Sequence, residues 1–311
     1  MSNSLEDFWV SWLNSERWRQ FAKWGVGAKL FKSQAYRKLD VARRFATTYY
    51  KSLRQPELFQ DVQTFCMFIG HTKSGSSLLG SLLDAHPDMI LADEADALRY
   101  VAEGFCKEQI FHILLKGSHR EAMKGRVTAR RLNPYSLAVP DQWQGKYRTL
   151  KVIGDSKAGP SVRRLTGEPK LLHEVQKVMK GVDARFIHVI RNPYDPISVM
   201  MVRGQRTFEN AVEHYFDYCE TLIALRGQLD SSNLIAVRYE EFVQQPERCL
   251  GDLCRFLGVE AGDEYLRACA GILHESPERS REMVMWQPEW IEVVRERIEQ
   301  VDFLTGYRYE D

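Results

Sequence analysis

Four short, almost unbroken apolar runs punctuate the chain: residues 62–69 (VQTFCMFI), 150–155 (LKVIGD), 185–190 (RFIHVI) and 233–240 (NLIAVRYE). Runs of this length and continuity predict strands buried on both faces. Between them the apolar residues recur at helical spacing. SLLGSLLDAH follows the first run, with leucines at 78, 79, 82 and 83, and further helical patterns cover 95–116, 160–180, 206–229 and 246–257. Strand and helix alternate as in β-α units. This predicts an α/β fold with a mostly parallel sheet and helices on both faces. The glycine-containing turn between the first strand and its helix makes it P-loop-like.

Residues 5–54 follow a different pattern. They are rich in Trp, Phe and Tyr and strongly basic, and they predict two or three helices with a break at Gly25 and Gly27. Pro56 closes the segment. The expected organisation is therefore a helical appendage over 1–58 and an α/β domain over 59–311. Two readings of the appendage stand side by side. Its aromatics pack on the main domain, or the 5–54 stretch lies peripherally on an anionic membrane surface. Residues 117–148 are polar, basic and Pro-containing, which predicts a long loop or lid. Its Trp143 and Tyr147 either line a pocket or pin the loop.

Composition narrows the classes. With 311 residues and a formal net charge of +1, no overall field argues for a nucleic-acid partner. Six cysteines show neither a C-x-x-C pair nor metal-finger spacing. They read as reduced, buried residues of a cytoplasmic protein. The first residues are not a secretory signal, and no run approaches the roughly 18 apolar residues of a membrane span.

In open parallel sheets, ligands bind at the carboxyl ends of the strands. Three polar segments fall there: the loop GHTKSGSS from Gly70, the turn Gly154-Asp155-Ser156-Lys157, and Arg191-Asn192-Pro193. The loop has the glycine spacing of a nucleotide-triphosphate loop at Gly70 and Gly75, with Ser77 at the last position. The expected lysine position, however, holds Ser76, and Lys73 sits within the turn. Such a turn aims backbone N–H groups and a helix N-terminus at an anion. A magnesium–nucleotide site would also want an acid at a neighbouring strand end. Arg191 stands there instead and would repel a metal. No metal is expected, and two separated basic strand ends suit a nucleotide carrying phosphates at two positions.

These residues resemble those of the sulfotransferases that use 3′-phosphoadenosine 5′-phosphosulfate. The 5′-phosphosulfate loop is matched by Lys73-Ser74-Gly75-Ser76-Ser77-Leu78 followed by His86-Pro87. The 3′-phosphate strand end is matched by Arg191-Asn192-Pro193. A later segment is matched by Arg238-Tyr239-Glu240-Glu241-Phe242, Pro246 and CLGDLCRFLGVE. The resemblance runs from residue 62 to the C-terminus, in the family's order. It lacks the glycine-rich R-K-G segment of the cytosolic steroid- and phenol-sulfating branch and so points to the bacterial or carbohydrate-type branch. It implies that Lys73, Ser74, Gly75, Ser76 and Ser77 hold the 5′-phosphosulfate, that Arg191 pairs with the 3′-phosphate, and that Tyr239 lies near the adenine. Relatives carry a serine eight residues after that arginine; here position 199 is Val199, and Ser198 stands one residue early. Arg279 or Arg281 is expected to supply charge where the R-K-G segment is missing.

Sulfuryl transfer needs an in-line acceptor oxygen, a base for its proton and positive charge on the leaving oxygen. Lys73 suits the last role, and Lys157 is placed to stabilise the group in transit. Glu94 is the favoured base, with helix capping as its competing role. Asp155 is the second candidate, with capping or pairing to Lys157 as its alternative. His86 reads as a structural turn residue. The expected activity is transfer to a hydroxyl of a carbohydrate, glycolipid or secondary metabolite. The competing classes are a nucleotide-binding protein without turnover and an atypical P-loop kinase or NTPase.

Overall fold

The computed structural model describes residues 34–127, 136–273 and 276–311. The predicted helix break at Gly25 and Gly27 lies outside the described residues. The last part of the basic segment is one helix, α1 (Gln34–Arg54). The main domain then alternates as the apolar pattern requires. β1 (Thr64–Ile69), α2 (Ser76–Leu83), β2 (Met89–Ala92), α3 (Ala97–Ala102) and α4 (Lys107–Met123) come first. They are followed by β3 (Val152–Asp155), α5 (Gly159–Gly167), α6 (Leu171–Val178), β4 (Asp183–Ile190), α7 (Tyr194–Val202) and α8 (Phe208–Arg226). The chain ends with β5 (Leu234–Arg238), α9 (Tyr239–Gln244), α10 (Pro246–Leu257), α11 (Asp263–Ala270) and α12 (Pro288–Glu299).

All strand pairings are parallel, in the order β2-β3-β1-β4-β5. β1 is central, and its six residues are all buried. Its side chains divide between two cores. Phe65, Met67 and Ile69 pack with Ile110, Phe111, Val162 and Val175 from α4, α5 and α6. Cys66 and Phe68 pack with Leu79, Leu82, Leu253 and Tyr265 from α2, α10 and α11. Alternation along a strand that is covered on both sides explains why its sequence is apolar throughout. A third cluster joins α7, α8 and α12 through Tyr194, Phe208, Tyr215 and Val294.

The structure departs from the sequence pattern in three places. The expected 95–116 helix is two helices, because the chain turns at Gly104, whose φ is +80°. α4 then runs to Met123, so the start of the expected 117–148 loop is helical. The described remainder of that loop is pinned to the domain. Gln144 donates from Nε2 to the carbonyl and hydroxyl oxygens of Ser81 at 2.9 and 2.8 Å, and the Trp143 amide donates to Ala85 at 3.1 Å. The 160–180 pattern likewise splits into α5 and α6.

α1 lies against α4. Gln109 on α4 donates to the Phe45 carbonyl at 2.9 Å and to the Thr48 hydroxyl at 3.3 Å, and the Phe45 ring meets Phe105 edge-on. Among the described residues, no helix is long and apolar enough to cross a membrane.

Candidate active site

β1 runs out at Ile69 into a turn with three left-handed residues: Gly70, Lys73 and Gly75, with φ of +135°, +72° and +101°. A non-glycine residue in that region is uncommon and mildly strained, and here it is the loop's lysine. At Gly75 no side chain fits, since a Cβ would fall 2.5 Å from the Tyr239 ring. α2 begins at Ser76 with no side-chain cap, so its first-turn N–H groups face the loop without an intrahelical partner. Ser74 is buried, and its hydroxyl has no hydrogen-bond partner. An orphaned buried hydroxyl inside a ring of backbone donors fits an incoming oxyanion. α2 also sits hard against the end of β3: a Cβ on Gly80 would lie 2.5 Å from the Ser156 Cβ.

The β4 end delivers Arg191 to the same loop. Its guanidinium is only 7% exposed and donates to the Lys73 carbonyl at 3.2 Å, to the Glu278 carbonyl and, at 3.4 Å, to Asp195. It lies 4.8 Å from the centre of the Tyr239 ring. Tyr239 opens α9 at the end of β5, so one aromatic ring touches both the loop glycine and the arginine. Glu240 fixes the neighbouring backbone, accepting from the Asn192 amide at 2.8 Å and the Tyr307 hydroxyl at 2.7 Å.

Asp155 is buried at the end of β3. It accepts from the amides of Ala95, Ala97 and Lys157 at 3.1, 2.8 and 3.2 Å. It therefore caps the start of α3 from another strand. Burial pushes its carboxyl up to about 6, against those three amides, which pull it down. Glu94 is exposed in the β2–α3 turn, with a φ of +51°. Asp155 takes the first α3 amide, at Ala97, so that capping bond does not fall to Glu94. Lys157 is half-buried two residues before α5, its amide bound to Asp155. His86 is structural: Nε2 faces the Glu260 carbonyl at 2.9 Å, and Nδ1 accepts from the Asp88 amide at 3.1 Å.

Ser198 lies inside α7, fully buried, and its hydroxyl accepts from the Trp286 indole at 3.0 Å. Arg281 is also buried. It holds Asp195 at 3.0 Å and donates to the Arg308 and Tyr309 carbonyls, whereas Arg279 is exposed. The 276–286 segment thus crosses Arg191 and Ser198 together.

The sequence reading missed Asp93. Its carboxylate accepts from Ser156 at 3.2 Å and from the Ser77 hydroxyl, joining the loop helix to the β3 end. Burial, with Glu94 next in the chain, raises its affinity for a proton. The only signal was its place beside Glu94. Tyr218 on α8 was missed too. Its hydroxyl donates to the Gly159 carbonyl at 2.6 Å and lies 3.3 Å from that of Gly70, and it sits against His71. Nothing local marks such a long-range contact.

No curated relative matches the chain by sequence. Solved structures with similar folds include a sulfotransferase domain from the curacin biosynthetic pathway. It is 15% identical, with 78% of this chain and 98% of that one covered and a TM-score of 0.48. A sulfotransferase from Alicyclobacillus acidocaldarius is 15% identical, with 80% and 98% covered and a TM-score of 0.43. The mouse sulfotransferase SULT7A1, complexed with PAP, is 12% identical, with 79% and 88% covered and a TM-score of 0.42. A family model described as sulfotransferase matches residues 67–263, from the middle of β1 to the start of α11 and through every strand-end segment described above. The chain belongs to the sulfotransferase family.

Proposed function

We propose that the enzyme moves the sulfuryl group of 3′-phosphoadenosine 5′-phosphosulfate to an acceptor hydroxyl. The observation that carries this reading is the joining of two anion-binding strand ends through one aromatic ring. Arg191 and the Gly70 loop meet at Tyr239, a spacing that suits a nucleotide phosphorylated at both ends of its ribose. In this reading Lys73, Ser74, Gly75, Ser76 and Ser77 hold the 5′ group. Ser74 contributes the hydroxyl that otherwise has no partner. Arg191 holds the 3′-phosphate, where a planar guanidinium suits a terminal phosphate. Ser198 joins it through its own hydroxyl proton, since the Trp286 indole occupies only a lone pair of that oxygen.

In the transfer step the acceptor oxygen forms a bond to sulfur. The bond from sulfur to the bridging phosphate oxygen breaks, and its electron pair stays on the leaving 5′-phosphate. Lys73 stabilises that charge, and Lys157 the sulfuryl oxygens. Glu94 takes the acceptor proton. The full engagement of Asp155 with three backbone amides favours Glu94 over it as base. The acceptor is a hydroxyl-bearing glycan, lipid or secondary metabolite, with α1 at a membrane surface. Residues 59–311 are the catalytic unit, working in the cytoplasm without a metal.

Calorimetric binding of adenosine 3′,5′-bisphosphate tests the reading. Micromolar or tighter binding is expected. It should weaken at least about tenfold for adenosine 5′-monophosphate and for Arg191→Ala, the scale of one charged hydrogen-bond pair. Glu94→Gln should keep that binding and lose turnover. Tight binding of magnesium–ATP with no preference for the 3′-phosphate would sink the proposal.

A further inference from the structure

The outer face of α1 carries a continuous apolar stripe. Leu39, Ala42, Ala46, Tyr49 and Leu53 succeed one another at helical spacing, with Tyr50 beside them, and all six are exposed. Leu39 is 69% exposed, Leu53 64% and Tyr49 52%, far beyond the isolated surface leucine that needs no account. The opposite face is the one that docks: Thr48 is buried, and Val41 packs into the core beneath α4.

Charge selects the occupant. α1 contains Arg37, Lys38, Arg43, Arg44, Lys51 and Arg54 against the single acid Asp40, in a chain whose whole net charge is +1. Asp40 is held between Arg43 and Arg44 at 2.9 and 2.8 Å. The exposed residues beside the stripe, Lys38 and Arg54, include no acid, and exposed Lys51 adds a further positive charge farther round the helix. A second copy of the same face would set like charges against each other. An anionic bilayer would take the leucines and tyrosines into its interface and pair the basic border with phosphates.

We propose that α1 is a membrane-docking helix that lies in the headgroup plane of an anionic bilayer. Arg44 lies 6.0 Å from the ring centre of Tyr100 on α3, the helix that starts just after Glu94. The docking stands on α1 alone. Its consequence, that the acceptor is lipid-linked, rests on the sulfuryl-transfer reading.

Sedimentation of the full chain with vesicles tests the docking without any transfer assay. Binding to phosphatidylcholine vesicles containing phosphatidylglycerol is expected, with little binding to phosphatidylcholine alone and loss at high salt. The triple variant Lys38→Glu, Lys51→Glu, Arg54→Glu should bind at least about tenfold more weakly, given the scale of lysine and arginine contributions at such surfaces. Leu39→Ser with Leu53→Ser should also weaken binding, with the melting temperature and bisphosphate binding of the parent chain retained. No binding to the anionic vesicles would overturn the proposal, as would binding unchanged in both variants. So would a parent dimer in sedimentation equilibrium that either variant breaks, since the stripe would then belong to a second copy. A chain that docks but does not bind the bisphosphate would retain this proposal and lose the transfer reading.

Discussion

Single residues carry the geometry of the loop. Gly75 combines a φ of +101° with a ring 2.5 Å from where a Cβ would stand. Gly75→Ala is expected to cost roughly 1–3 kcal/mol, read as a shift in denaturant midpoint, because both backbone strain and overpacking oppose it. A neutral effect would mean that Tyr239 moves freely. Asp155 offers a test by pH. Its folded carboxyl is raised to about 6, above the ordinary value of 3.8. The stability linked to it is therefore fully present below about pH 4 and is lost as pH rises through 6. Asp155→Asn, which keeps an acceptor without the charge, should gain on the parent across that window, measured as the difference in melting temperature. A constant difference would show that the carboxyl is not raised. The glycine and serine positions were legible because a phosphate-type turn constrains residue identity locally. The contact of Tyr239 with Gly75 was not, because the two residues follow different strands, far apart in the chain, and share no local pattern.

At the level of elements, the link between α7 and the segment crossing Arg191 is ionic and buried. Asp195 on α7 accepts from the Arg281 amide at 2.9 Å and from its guanidinium at 3.1 and 3.0 Å, and lies 3.4 Å from Arg191. Asp195→Ala leaves two buried guanidinium groups around a void. About 3–5 kcal/mol of destabilisation is expected in chemical denaturation, the usual result of removing one partner from a buried pair. A loss below about 1 kcal/mol would indicate that water replaces the carboxylate. Four of the five strands announced themselves as apolar runs. The fifth, β2, is four residues long at the sheet edge, too short for its pattern to separate from the acidic turn that follows. The split between α3 and α4 was hidden for another reason. Apolar periodicity continues across Phe105, which packs in the core although the chain turns there.

For the whole molecule, the boundary drawn at residue 58 cuts through packing. α1 supplies Phe45 and Thr48 to α4, and Gln109 bridges them. A chain starting at residue 59 would expose that surface of α4. A fall in melting temperature of more than about 2 °C is expected, the effect of losing roughly a kilocalorie in a domain of this size. An unchanged midpoint would make the two units independent. The sheet order β2-β3-β1-β4-β5 places β1 between β3 and β4, so the central strand cannot pair until distant segments arrive. That order was not readable, because parallel crossovers leave no local trace of which strand becomes the neighbour.

The crossing of Arg191 by residues 276–286 has a kinetic consequence. Every nitrogen of that guanidinium already donates within the chain: to Asp195, to the Lys73 carbonyl and to the Glu278 carbonyl. In the proposed reading, a phosphate bound by two N–H groups finds at most one still open on Nη1 and must displace at least one of these partners. In stopped-flow mixing, the observed association rate should climb with nucleotide concentration and then level off at the rate at which the segment lifts. Shortening the Trp286 side chain, which ties the segment to Ser198, should raise that plateau more than it changes the initial slope.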